Sequence, residues 1–277
     1  MPGEPTSDPF PTPRPRARIP YAAVFRGVRS LADQVAWAVA LAACLPGLFR
    51  DVSAGTVLAS ARQTSVGAAA FEVVWACGCF FVFCRYAALK QSGGDATLAA
   101  AGRFVCRRAR TYVTTCCWAC LPTTVVLLPG GLLSMAGFAG ADSFGTTAAV
   151  VRDVGLVFLG TAAIGGVVAT TLGWAAVGIV GGDGLAVATR VWAWSVRRPD
   201  LLGLCLLIGF GVAAGTGWLS STVCGLAETT GSVTLVAAIG LATTSATAIV
   251  AWSATVWTAL VLREDEDGIP FDEIAEH

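Results

Sequence analysis

The sequence predicts an all-α integral membrane protein: a helical bundle of six transmembrane spans, with amphipathic helices on the cytoplasmic side and hairpins that repeat along the chain. Three observations point there. Hydrophobic residues make up 55% of the chain and charged residues only 13%, with a mean hydropathy of +0.71; a soluble domain carries about 25% charged residues. The uncharged residues fall into long apolar runs, several beyond the roughly 18 residues that distinguish a membrane span from a core helix. The basic residues collect between alternate runs, as they do in polytopic membrane proteins.

The expected spans are Leu31–Phe49, Val66–Leu89, Tyr112–Ala136, Val154–Val180, Leu201–Leu219 and Val233–Leu262. The first is short and ends at Pro46-Gly47. The third contains Pro122 and Pro129, each of which removes a backbone donor, so a kink or partial unwinding is expected there. Neighbouring helices can satisfy the freed carbonyls. Ahead of the membrane domain, residues 21–262, lies a segment 1–20 with seven of the twelve prolines and Arg14, Arg16 and Arg18, read as a disordered basic arm. No signal-peptide pattern is visible in it. Residues 263–277 form an acidic tail.

Orientation follows from the arginines. With the N-terminus inside, Arg14, Arg16, Arg18, Arg26, Arg29, Arg85, Lys90, Arg103, Arg107, Arg108, Arg110, Arg190, Arg197, Arg198 and Arg263 all fall on inner segments, Arg85 by snorkelling. Only Arg50, Arg62 and Arg152 fall outside. Such a bias predicts a multi-pass protein of the cell membrane with both termini cytoplasmic, and it favours an even number of spans. The acidic tail does not argue against this, because Asp and Glu contribute little to orientation.

An internal repeat is visible. Gly93-Gly94-Asp95 precedes LAAAGRFVCRRAR and the third span, and Gly181-Gly182-Asp183 precedes GLAVATRVWAWSVRRPD and the fifth. With one gap, Leu98 aligns with Leu185, Arg103 with Arg190 and Arg110 with Arg197; AAVFRGVRSLADQ before the first span is a weaker third copy. Each copy reads as a cytoplasmic amphipathic helix, with Asp95 or Asp183 as its N-cap. Leu98, Phe104 and Val105, or Leu185, Val191 and Trp192, would face the interface. Arg103, Arg107, Arg108 and Arg110, and likewise Arg190, Arg197 and Arg198, would then reach lipid headgroups.

A small-residue span, a polar break, and a segment ending Ser195-Val196-Arg197-Arg198-Pro199 before the next span form a recognisable pattern. Over residues 20–262 the chain resembles the uncharacterised polytopic membrane proteins of the haloarchaeal type. More distantly it is similar to the YciC and glycerophosphodiesterase-membrane-domain group. The acidic tail and the scarcity of lysine fit such a source, whereas ten cysteines depart from it. The resemblance implies no catalytic residues.

Candidate functional residues are few. Glu72 lies inside the second span, where an ionisable group defaults to a functional reading. It would bind a proton or cation, or pair with a polar group in spans three to six; hydration near the interface is the plainer alternative. Cys77, Cys79 and Cys84 in the second span and Cys116, Cys117 and Cys120 in the third are of the type that selects Cu(I). Only Cys117 and Cys120 form a CxxC, so packing by small side chains is the favoured reading, and no metal or cofactor is expected. Gly178–Gly182 and Gly211–Gly215 have the spacing of close helix contacts. Gly209-Phe210-Gly211 lies in an apolar run without a preceding strand, which excludes a dinucleotide fingerprint. Trp192, Trp194, Trp218 and Trp257 are expected as aromatic-belt anchors.

The absences exclude chemistry. The single histidine is the terminal His277 and the single lysine is Lys90. A Ser–His–Asp or Cys–His mechanism, a His-ligated haem or zinc site and a Walker loop therefore have no residues to use. The expected function is a non-enzymatic scaffold or accessory subunit. The alternative is a small transporter or permease subunit, since repeats and proline-broken spans recur in transporters. The expected partners are the lipid bilayer and other membrane subunits, not nucleic acid.

Overall fold

The structure, a computed structural model, describes residues 26–53, 66–91, 96–140, 145–230 and 233–267. The basic arm 1–20 and the end of the acidic tail lie outside them, as do Gly93, Gly94 and Asp95. Among the described residues a 3-10 turn, Arg26–Ala32, leads into seven α-helices: α1 Gln34–Ser53, α2 Val66–Gln91, α3 Leu98–Ala139, α4 Thr146–Val180, α5 Gly184–Arg197, α6 Pro199–Thr230 and α7 Val233–Asp267. There is no strand among the described residues.

Helices α2, α3, α4, α6 and α7 are long and apolar enough to cross a bilayer, so the chain is a multi-pass helical membrane protein. The first expected span differs. It begins at Gln34 rather than Leu31, and its apolar part, Gln34–Gly47, is shorter than a full span. Its course still traverses the bundle. Asp33, just before α1, is ion-paired with Lys90 at the end of α2. The Trp75 indole N–H, halfway back along α2, donates to the Ala42 carbonyl at 2.7 Å. The two helices are thus antiparallel, and the chain must reach the far end before α2 starts. At its other extremity, α7 brings Trp257 beside Arg29 and Asp33. Both ends of the bundle therefore lie at one pole, as an even number of traverses requires.

Apart from Arg50 on α1 and Arg152 on α4, the basic residues among those described lie at that pole. Arg85 donates to the Gly178 carbonyl at 2.9 Å, and Arg108 to the Gly182 carbonyl at 3.3 Å. These contacts place the end of α2, the start of α3 and the end of α4 at one level. They also supply donors at the C-terminus of α4, where backbone carbonyls are orphaned and a positive charge is favourable. Arg85 is half-buried, with its guanidinium 4.3 Å from the Phe104 ring centroid.

The two repeat copies diverge at one residue. In the second, Gly181 and Gly182 take positive φ (66° and 104°) and open a turn, and Asp183 occupies the N-cap of α5 without a side-chain bond. Pro199 then ends the copy, because the residue before proline is pushed out of the α region; Arg198 has φ −132° and ψ 62°. Pro199 itself opens α6, where its missing N–H costs nothing. The first copy has no proline after Arg110, so the expected separate amphipathic helix does not form. Its residues run straight into the span as the first turns of α3, 42 residues long. At 1.5 Å per residue that is about 63 Å, more than the roughly 40–45 Å of a whole bilayer. Thr97, not Asp95, caps it, accepting from the Ala100 N–H at 3.2 Å. The acidic tail differs similarly: α7 continues through Arg263 to Asp267.

Pro122 and Pro129 do not break α3, which stays one α-helix across both. The hydroxyls of Thr123 and Thr124 bond back to the Cys120 and Leu121 carbonyls at 2.6 Å, next to Pro122.

Helices α3 and α4 form a hairpin along a seam of small residues. On α4, Ala148, Gly155, Ala162, Ala169 and Ala176 are buried at seven-residue intervals, and on α3 Thr123, Gly130 and Gly137 are buried likewise. In lipid there is no hydrophobic drive between helices, so close backbone approach and dispersion must hold them. A Cβ on Gly155 would stand 2.5 Å from the Ser134 nitrogen, and one on Gly137 would stand 2.5 Å from the Arg152 nitrogen. Gly211 and Gly215 on α6 face open space, and Gly182 lies past the end of α4, so neither sequence pair forms an intramolecular helix contact as a pair. Gly155→Leu should therefore lower the melting temperature of the purified protein by the equivalent of about 1–3 kcal/mol, whereas Gly211→Leu should leave it unchanged. Equal melting of the two variants would refute the seam.

Candidate functional site

Each residue singled out in the sequence has a definite place. Glu72 sits on α2 and faces α1: its carboxylate lies 4.0 Å from where a Cβ on Gly47 would stand. It therefore lies beside the first helix. Arg103, Arg107 and Arg110 are exposed on the first turns of α3. Arg108, also exposed, turns back toward the α4–α5 junction. On α5, Arg197 is exposed and Arg190 half-exposed. Arg198 chelates Asp200 through two bonds of 3.1 and 2.8 Å.

The apolar face of α5 does not lie on lipid. Val187, Ala188, Val191 and Trp194 recur at helical spacing and are buried in the bundle. Trp194 is a core residue, and Trp192 packs against Ala119, Ala169 and Ala188, so neither is a belt anchor. Trp218, on α6, is 70% exposed.

On α3, Cys116 lies within hydrogen-bonding reach of Cys120. Cys84 is buried against Gly178 of α4, Cys120 contacts the Thr170 hydroxyl at 3.1 Å, and Cys117 is exposed. Cys77 and Cys79 line two different cavities. Among the described residues no three His, Cys, Asp or Glu side chains converge as a metal site would require.

Two cavities stand out. The larger, about 600 Å³, is a lateral crevice between α2, α4, α6 and α7. Phe80, Trp174 and Trp252 form its inner wall, and Ile164, Leu206 and Phe210 flank its opening. Helix α6 packs chiefly on α7, anchored by the Cys205 thiol 2.6 Å from the Thr258 hydroxyl, and so stands away from α4. The crevice is the gap that results.

The smaller cavity, about 280 Å³, lies at the basic pole. Its centre is Asp33, which ends the 3-10 turn and caps α1 by accepting from the Val35 N–H at 3.1 Å. The Tyr86 hydroxyl donates to the same carboxylate at 3.0 Å and the Lys90 ammonium at 2.6 Å. Burial alone would raise the Asp33 pKa, but Lys90, Tyr86 and Val35 together hold it below the usual value. Sequence reading passed over this pair. The available signals were a lone lysine closing a span and an aspartate directly before an apolar run.

No family model, no curated protein and no solved structure matches this chain. Function must therefore be read from these sites.

A carboxylate whose folded pKa is depressed stabilises the fold above its unfolded pKa, near 3.9, and that stability is lost as pH falls through the folded value. Asp33→Asn should thus destabilise the protein at pH 7 by about 1 kcal/mol, a modest figure because Lys90 is half-exposed. The gap to wild type should close in acid. A gap that persists below pH 3 would show that Asp33 acts through shape and not through charge.

Proposed function

We propose that the protein is a non-enzymatic scaffold or accessory subunit of the cell membrane, with the basic pole and both termini in the cytoplasm. Orientation rests on the concentration of Arg and Lys at that pole. The role rests chiefly on one observation: α6 stands apart from α4 and leaves an apolar crevice open within the membrane. On the outer face of α6, Gly211 and Gly215 have nothing within 4 Å of a hypothetical Cβ. Small residues at that spacing admit a second helix at close range. A span of a partner subunit lying along α6 beside the crevice accounts for both features.

One observation favours a small transporter instead: Glu72 is an ionisable group inside a span, directed at a neighbouring helix. The two readings separate experimentally. A photoreactive residue at Phe210, 70% exposed, should crosslink in native membranes to a second membrane polypeptide. Gly211→Leu should abolish that product without lowering expression. Adducts with lipid alone would contradict the subunit reading. A proton or cation flux in reconstituted vesicles that disappears in Glu72→Gln would replace it with the transporter.

A further inference from the structure

The cavity around Asp33 carries an excess of positive charge. Arg29, Ser30, Asp33, Tyr86, Lys90 and Trp257 supply its polar and aromatic lining, and Ala36, Phe83 and Ala87 its apolar floor. Among the described residues Asp33 is the one acid in the lining, and it is already engaged by three donors: the Val35 N–H, the Tyr86 hydroxyl and the Lys90 ammonium. Its acceptor capacity is largely used within the protein. Lys90, half-exposed, carries three N–H donors and directs one at Asp33 and a second, at 3.5 Å, at the Tyr86 hydroxyl, which leaves one to spare. Arg29 is exposed and has no ion-pair partner among the described residues. The N-terminus of α1, which starts at the next residue after Asp33, adds the positive end of its helix dipole.

We propose that this cavity binds the phosphate of an anionic phospholipid headgroup between Arg29 and Lys90. The chemistry alone would suit any phosphate-bearing anion; position favours the lipid. Lys90 closes the apolar stretch of α2, which puts the cavity at the level where a bilayer changes from hydrocarbon to headgroup. The apolar floor suits a glycerol moiety better than a free ion. At about 280 Å³ the space is just below that of drug-sized ligand pockets, so it takes a headgroup and leaves the acyl chains outside. Trp257 on the wall is an aromatic of the type that favours this depth.

The test uses the full chain, purified in detergent and titrated by native mass spectrometry with phosphatidylglycerol, phosphatidylcholine or inorganic phosphate. One phosphatidylglycerol should be retained at concentrations where the other two are not. Arg29→Gln should weaken it about tenfold at unchanged melting temperature. Lys90→Arg, which keeps the charge and the Asp33 partner, should retain it. Arg107→Gln, on the exposed start of α3, should weaken it far less. Wild-type binding by Arg29→Gln would overturn the site. Equal losses in Arg29→Gln and Arg107→Gln would also overturn it, because they would show diffuse attraction to the basic pole. Inorganic phosphate that competes as well as the lipid would overturn the headgroup assignment.

Discussion

Phe80, Phe81 and Phe83 lie within one turn of α2 and, at 100° per residue, fan over about 160° of its surface. Together they reach three neighbouring helices. Phe81 stacks on Tyr112 of α3 with ring centroids 4.2 Å apart and meets Trp174 of α4 edge-on at 4.9 Å. Phe80 touches Trp174 and Trp252, and Phe83 touches Trp252 of α7 at 5.4 Å. One turn of one helix thus holds three others. Such pairs are worth roughly 0.5–1.5 kcal/mol each beyond their packing, which matters more in lipid, where no hydrophobic drive joins helices. Next to them, Cys84, Ala87 and Ala88 allow close approach, and Arg85 and Lys90 tie down the ends of α4 and the start of α1.

The consequence is a bundle joined mainly at its basic half. Buried residues crowd the second half of α2, the second half of α4, α5 and the last turns of α7. The first turns of α2 are exposed, including Phe71, Val73 and Val74. Most of α6 is exposed as well. The α3–α4 hairpin stays together through its own glycine seam, with Leu128, Leu132, Met135 and Val157 turned to lipid. The lateral crevice therefore follows from where the aromatic residues stand in α2. The same clustering crowds the basic side chains together and leaves the cavity at Arg29 and Lys90 with its surplus of charge.

Hydropathy made five of the spans legible, because length and apolarity are local properties. The arginines made the common pole legible, because their alternation does not depend on packing. What stayed hidden depends on partners. Trp192 and Trp194 read as interface anchors because a tryptophan near a span end looks the same whether it faces lipid or protein. Asp33 and Lys90 are far apart in sequence, and only the antiparallel fold brings them within 2.6 Å. The basic segment before the third span read as a separate helix by analogy with α5, although the difference was a single visible proline, Pro199. Glu72 could be placed in a span but not against Gly47. The glycine seam was obscured by the 32 glycines, most of which could equally have faced lipid.

One half of α2 holds the bundle. Phe71 and Phe83 offer a matched pair, the same side chain on the same helix, 60% and 1% exposed. The decisive measurement is the melting temperature of Phe71→Ala and Phe83→Ala in lipid nanodiscs. Phe83→Ala should lose roughly 3 kcal/mol, the scale of a buried aromatic truncation, and Phe71→Ala should melt with the wild type. Equal losses, or a larger loss at Phe71, would contradict a bundle held from its basic pole.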